Sequence, residues 1–95
     1  MYCVFGILDA VSLELCGLPV VTSITGKNFN VEILRSLHKR LIIIPDKDEE
    51  KSAHNYVNSL GWRARVKELD YPQGCKDCND VLMNYGKEEL KELLN

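Results

Sequence analysis

The sequence predicts a small α/β protein: a doubly wound sheet of about four parallel strands with helices on both faces, in one domain spanning residues 1–95. Short runs of branched apolar residues alternate along the chain with helical patterns, which is the order expected of a parallel sheet. Residues 41–44 are all aliphatic, with no polar residue at alternate positions, as in strands buried on both faces. The length allows one hydrophobic core of ordinary size.

The elements follow in a regular order. Strands are predicted at residues 2–5, 19–24, 40–45 and 62–69. Helices are predicted at residues 8–16, from a cap at Asn30 through Leu37, at residues 49–60, and from Asn79 or Asp80 to Leu94 with an interruption at Gly86. The resulting β-α-β-α-β-α-β-α order has short connections and no repeat or linker.

Charge and composition exclude several classes of protein. The formal net charge is only −2, so the chain is not a basic nucleic-acid-coating protein. No apolar stretch is long enough to span a membrane, and no secretory leader pattern opens the sequence. The four cysteines are not arranged as a disulfide framework, so we expect free thiols and a cytoplasmic location.

Two aspartates stand where the most apolar strand ends. Asp46 and Asp48 follow the aliphatic run directly, and open α/β sheets bind their ligands at the carboxyl ends of strands. If the backbone stays extended, residues two apart point the same way, and both carboxylates face one ion. Oxygen ligands of this kind suit Mg²⁺, or Mn²⁺.

The loops after the other strands add further charged residues to the same edge. Asp9 follows the first strand, Lys27 the second, and Lys76 and Asp77 the fourth. Clustered carboxylates repel one another unless a cation neutralises them. We therefore expect Asp46, Asp48 and Asp9 to hold a metal ion, with Asp77 as a further candidate, and Lys76, Asp77 and Lys27 to contact phosphate or nucleic acid.

Simpler interpretations of the same residues stay open. Residues 46–50 are also an ordinary acidic helix start, and Lys76-Asp77 an ordinary polar turn. Cys75 and Cys78 form a C-x-x-C pair, which is best interpreted as two free thiols, with a zinc site or a redox pair as alternatives. Trp62 and the basic residues after it either contact nucleic acid or form part of a strand edge.

Three segments together resemble the Toprim domain, the metal-binding module of bacterial-type primases, topoisomerases and small nucleases. Residues 46–48 resemble its D-x-D motif, and Gly6-Ile7-Leu8-Asp9 resembles the G-x-x-D part of its first motif. Residues 74–80 are similar to the late G-K-D-x-N-D motif of the primase and phage primase–helicase branch, with Cys75 inserted. The resemblance covers nearly the whole chain and implies a Rossmann-like fold with Asp46 and Asp48 in catalysis.

One position departs from that family. Its first motif has a glutamate before the glycine, which is thought to act as acid/base or metal ligand, and this chain has Phe5 there. Phenylalanine can neither transfer a proton nor bind a cation through oxygen. The resemblance therefore implies a metal-binding domain whose catalysis is impaired in isolation.

Two functions follow as expectations. The first is Mg²⁺-dependent phosphodiester chemistry on DNA or RNA, of primase or nuclease type, together with other domains or subunits of a replication protein. The second is a non-catalytic module with the same fold that binds nucleic acid or protein. Receiver domains and haloacid-dehalogenase-type phosphotransferases are weaker alternatives, because their acidic motifs belong on the first strand.

Overall fold

The protein is built on a sheet of four parallel strands. The structure, a computed structural model, describes residues 1–22 and 31–95. The strands are β1 (Tyr2–Val4), β2 (Val20–Thr22), β3 (Leu41–Ile44) and β4 (Ala64–Val66). They lie in the order β2-β1-β3-β4, and every neighbouring pair is parallel. The predicted α/β class with a parallel four-stranded sheet is confirmed.

Within residues 1–22 and 31–95, five α-helices cover the sheet. They are α1 (Ile7–Leu15), α2 (Val31–Ser36), α3 (Glu50–Leu60), α4 (Cys78–Tyr85) and α5 (Lys87–Leu94). Strands β1, β3 and β4 are shorter than predicted, and the predicted end of the second strand lies outside the described residues. Gly61–Arg63 forms a 3-10 turn that includes the first two residues of the predicted fourth strand. Helix α4 begins at Cys78, with Asp77 as its N-cap, and not at Asn79 or Asp80. The predicted cap Asn30 lies outside the described residues.

Alternate residues of the central strands enter two separate hydrophobic layers. Val4 and Ile44 pack in a layer with Leu13 of α1, Val81 of α4 and Leu90 of α5. Cys3 and Ile43 pack on the opposite face, with Leu34 of α2 and Ala53 of α3. Because both faces of β3 are covered, every position in it is apolar, which explains the uninterrupted aliphatic run.

The strand order also determines where a ligand crevice opens. The chain leaves β1 through α1 to reach β2 on one side, then returns across the sheet to β3 on the other. The carboxyl ends of β1 and β3 therefore form the topological switch point, where open sheets of this kind bind ligands. Asp9 in α1 and Asp46 after β3 lie on either side of that point.

The helices and the cysteines can be compared with two further predictions from the sequence. None of the helices given above has the length and apolar character needed to cross a bilayer. All four cysteines are free and buried. Burial raises the pKa of the Cys3 thiol to about 12 and raises that of Cys78 as well, so both are poor nucleophiles near neutral pH.

Candidate metal centre

Three carboxylates from three separate segments meet at the carboxyl edge of the sheet. Asp9 lies in the first turn of α1, Asp46 follows β3, and Asp77 caps α4. One oxygen from each lies within 4.8 Å of the other two. Asp9 is buried, and the other two are partly buried. We call these three residues the acidic cluster.

Asp9 is held in place by the start of α4. The backbone N–H of Asn79 donates a hydrogen bond to Asp9 Oδ1 at 2.9 Å. The other carboxylate oxygen, Oδ2, lies near Gly6, where an added Cβ would be 3.4 Å away. Gly6 has an ordinary extended φ of −149°, so the backbone does not require glycine there. Its effect is to leave the space beside the carboxylate uncrowded.

Asp77 is fixed by the geometry of a helix cap. Its Oδ1 accepts a hydrogen bond from the backbone N–H of Asp80 at 2.8 Å, and Asp80 Oδ2 accepts one from the N–H of Lys76 at 3.1 Å. Free N–H groups at the start of a helix favour negative charge. Helix α4 therefore supports two of the three carboxylates, Asp77 through its own cap and Asp9 through Asn79.

Asp46 is held near Asp77 by bonds between their two loops. The N–H of Lys47 donates to the carbonyl of Lys76 at 2.8 Å, and the Tyr71 hydroxyl donates to the carbonyl of Pro45 at 2.8 Å. Pro45 and Lys47 flank Asp46 in sequence, and Lys76 directly precedes Asp77. The two bonds therefore keep the segments that carry the two carboxylates at a defined spacing.

Asp9 and Asp46 hold their protons more tightly than isolated aspartates do. Burial raises the pKa of Asp9 to about 6, against the opposing effect of the Asn79 hydrogen bond and with a further increase from the charge of Asp77. Burial and the neighbouring Asp9 and Asp77 charges raise the pKa of Asp46 to about 7. A pKa of about 7 leaves Asp46 partly protonated at neutral pH. A cation could take the place of that proton.

The donors fit a small, hard divalent cation. Octahedral Mg²⁺ places its ligand oxygens roughly 2.9 Å apart when adjacent and roughly 4.1 Å apart when opposite. The three oxygens, which lie within 4.8 Å of one another, would have to move closer together to reach such spacings. All donors are carboxylates, which Mg²⁺ and Mn²⁺ prefer to sulfur.

Asp48 lies outside the acidic cluster. Residues 47 and 48 form a turn, closed by a hydrogen bond from the N–H of Glu49 to the carbonyl of Asp46 at 3.0 Å. The backbone is therefore not extended there, and the Asp48 side chain is exposed. The structure thus combines both interpretations of this segment: Asp46 joins the cluster, whereas Asp48 and Glu50 belong to the start of α3.

The structure describes two of the three residues that were predicted to contact phosphate. Lys76 is exposed and adjoins Asp77 in the loop before α4. Asp77, predicted to contact phosphate or serve as a further ligand, is a member of the acidic cluster. Lys27 lies outside the described residues.

Phe5 does not occupy space in the cluster. It is buried in the other hydrophobic layer, beneath α2 and α3, and its ring centroid lies 6.2 Å from that of Tyr56. The position before Gly6 therefore directs its side chain into the core.

Cys75 and Cys78 do not form a metal site with other residues. Both are buried in the layer that contains α1, α4 and α5. Over residues 1–22 and 31–95, the acidic cluster is the only group of three or more histidine, cysteine, aspartate or glutamate ligands. The prediction of two free thiols is confirmed, although Cys78 is the first residue of α4 and does not lie in a loop.

Three supporting residues were missed by the sequence analysis. Tyr71 anchors the loop before α4, Asn79 bonds Asp9, and the Ser12 hydroxyl lies 3.4 Å from Asn79 Oδ1 while donating to the carbonyl of Leu8. Their roles depend on contacts between segments far apart in the chain. Only Asn79 carried a signal, through its position in the segment similar to the late Toprim motif.

Comparison with known proteins found no match. No family model matches the sequence, and no curated protein or solved structure is significantly similar to it. The Toprim resemblance consequently depends on the three motifs and their order.

Proposed function

We propose that this chain is a Toprim-like, metal-binding domain of a replication or primer-synthesis protein, acting in Mg²⁺- or Mn²⁺-dependent phosphodiester chemistry on DNA or RNA. The observation that carries the proposal is the acidic cluster at the switch point of the sheet. Two of its members, Asp9 and Asp46, are the acidic positions of two separate Toprim-like motifs. Asp77 belongs to the third.

The residues have distinct roles in this proposal. Asp9, Asp46 and Asp77 would hold the cation, which polarises a phosphoryl oxygen and orients the attacking or leaving oxygen when bound. The raised pKa of Asp46, about 7, means that its proton must leave before the carboxylate can act as a ligand. Lys76, which is exposed beside Asp77, would contact a phosphate. The four free thiols fit a cytoplasmic protein.

A second candidate function is a non-catalytic module with the same metal site. The observation that favours it is Phe5, which is buried in the core where the related motif has its glutamate. In this alternative the domain binds nucleic acid, or another subunit of a replication protein, without turnover.

The test separates the two candidates. The purified chain is incubated with labelled single- and double-stranded DNA, nucleoside triphosphates and Mg²⁺ or Mn²⁺, beside Asp46→Asn. Cleavage or primer synthesis that Asp46→Asn abolishes supports the first candidate and excludes the second. Metal binding without turnover excludes catalysis by the isolated chain and leaves the second candidate as the function that this chain performs alone. Absence of Mg²⁺ and Mn²⁺ binding by calorimetry would overturn both.

A further inference from the structure

The edge of the sheet opposite the acidic cluster carries an exposed tryptophan. Trp62 lies in the 3-10 turn before β4, and 81% of its surface is accessible. It is the only tryptophan of the chain. Tryptophan is the largest apolar side chain and is usually well buried, so this degree of exposure calls for an explanation.

Trp62 forms one wall of a cleft at the amino ends of β3 and β4. The cleft has a volume of about 310 Å³, and its lining includes Arg40, Arg63, Arg65 and the first residues of both strands. This volume is at the lower end of the range for small-molecule sites. We call it the Trp62 cleft.

The cleft is strongly basic. The guanidinium carbons of Arg40 and Arg63 each lie 6.0 Å from the centroid of the Trp62 ring. No acidic residue lines the cleft. Within residues 1–22 and 31–95, neither these arginines nor Arg65 forms an ion pair with a carboxylate. Three positive charges are therefore concentrated on a chain whose overall charge is negative.

We propose that the Trp62 cleft binds single-stranded nucleic acid, with one base stacked on Trp62 and adjoining phosphates held by Arg40, Arg63 and Arg65. The Arg63 guanidinium also donates to the carbonyl of Arg35 at 3.5 Å, which leaves its charge without a neutralising carboxylate. A flat aromatic surface beside such guanidinium groups is the combination with which proteins bind single strands. A base in a duplex has both faces covered by its neighbours. Stacking on Trp62 therefore selects an unpaired strand, whereas the arginines alone would not.

This inference stands apart from the metal centre. The cleft uses the amino ends of the strands, and the acidic cluster uses the carboxyl ends. None of the cleft residues named above belongs to the cluster. Failure of one site therefore leaves the other testable.

The single tryptophan supplies a direct probe. A short oligothymidylate is titrated into the protein while Trp62 fluorescence is recorded, and fluorescence anisotropy of the labelled oligonucleotide gives the affinity. We expect quenching on binding, and a roughly 5- to 150-fold loss of affinity in Trp62→Ala, with a smaller loss in Trp62→Phe. Arg40→Gln and Arg63→Gln should each weaken binding and reduce the salt slope by about 0.7.

Control variants and competitors make the result decisive. Lys87→Gln removes an exposed positive charge from α5, outside the cleft, and should leave the affinity within about twofold. The proposal would be overturned if the wild type and Trp62→Ala bound heparin equally well and the oligonucleotide caused no quenching. It would also be overturned if the protein bound duplex DNA more tightly than the oligonucleotide. Equal affinity for thymidine monophosphate would also overturn it, since the ligand would then be a nucleotide.

Discussion

The N–H of Asn79 donates to Asp9 Oδ1 at 2.9 Å across 70 positions of sequence. The bond joins the start of α4 to α1 and places Asp9 in the same group as Asp77, the residue that caps α4. A structural contact and a candidate ligand therefore share one carboxylate. Its two roles can be separated by substitution.

Asp9→Asn and Asp9→Ala separate the hydrogen bond from the charge. Both variants remove the negative charge, but only the amide oxygen of asparagine can still accept from Asn79. We expect Asp9→Asn to be more stable than Asp9→Ala by about 1 kcal/mol in urea unfolding without metal. Both should lose affinity for Mn²⁺. Equal stability of the two variants would show that the bond contributes nothing.

Asp46→Asn and Asp48→Asn distinguish the ligand from its exposed neighbour. Asp46 belongs to the acidic cluster, whereas Asp48 lies in the following turn. We expect Asp46→Asn to weaken Mn²⁺ binding by roughly tenfold or more, and Asp48→Asn to change it by roughly twofold at most. Titration followed by electron paramagnetic resonance measures the free Mn²⁺. The reverse order would return Asp48 to the site, as the sequence alone suggested.

The stability of the metal-free protein should rise as the pH falls from 8 to about 5. In the folded state the pKa values of Asp9 and Asp46 are about 6 and about 7, above the ordinary value of 3.8. The folded state therefore binds more protons than the unfolded state in this window, and stability is lost as the pH rises through 6 to 7. We expect a difference on the order of 2 kcal/mol by urea unfolding.

Asp46→Asn is the control for this pH dependence. It removes one of the two coupled carboxyl groups and should flatten the profile. Mg²⁺ should stabilise the wild type at pH 8 and much less at pH 5, because protons compete with the cation. A wild-type protein that is less stable at pH 5 than at pH 8 would contradict the prediction.

Phe5→Glu should destabilise the fold instead of restoring a catalytic acid. The Phe5 side chain is only 4% exposed and packs near Tyr56 in an apolar layer. Burying a carboxylate there should cost roughly 3–5 kcal/mol or more, whereas Phe5→Leu should cost about 1 kcal/mol. Urea unfolding gives both values. A stable Phe5→Glu protein with new nuclease or primase activity would show that the glutamate reaches the acidic cluster.

The order of the elements could be predicted from sequence because each strand and helix carries its own periodic pattern. Leu41 to Ile44 identified the strand buried on both faces, and Gly86 marked the break between α4 and α5. The exact ends of the strands were harder to predict from the sequence. The alternation of apolar and basic residues from Trp62 onward is typical of a strand. Gly61, which has a positive φ of 77°, instead begins a 3-10 turn that delays the strand until Ala64.

The candidate site was only partly predictable, for a geometric reason. The rule that loops share one sheet edge brought Asp9, Asp46 and Asp77 to the same region. The choice between Asp46 and Asp48 depended on whether the chain stayed extended after Pro45, and a single hydrogen bond from Glu49 decides that. Contacts such as Tyr71 to Pro45 join distant segments and leave no local pattern.

The shortness of β3 has a consequence for substrate geometry. From Arg40 to Asp46 the chain advances six positions, and at about 3.3 Å for each residue the two ends are roughly 20 Å apart. A nucleic-acid strand with one base stacked on Trp62 would therefore bring a phosphate several nucleotides from that base to the acidic cluster. The phosphate next to the stacked base would not reach it. Any reaction there would occur a fixed number of nucleotides from the stacked base. The lengths of the products from end-labelled oligonucleotides would give that number.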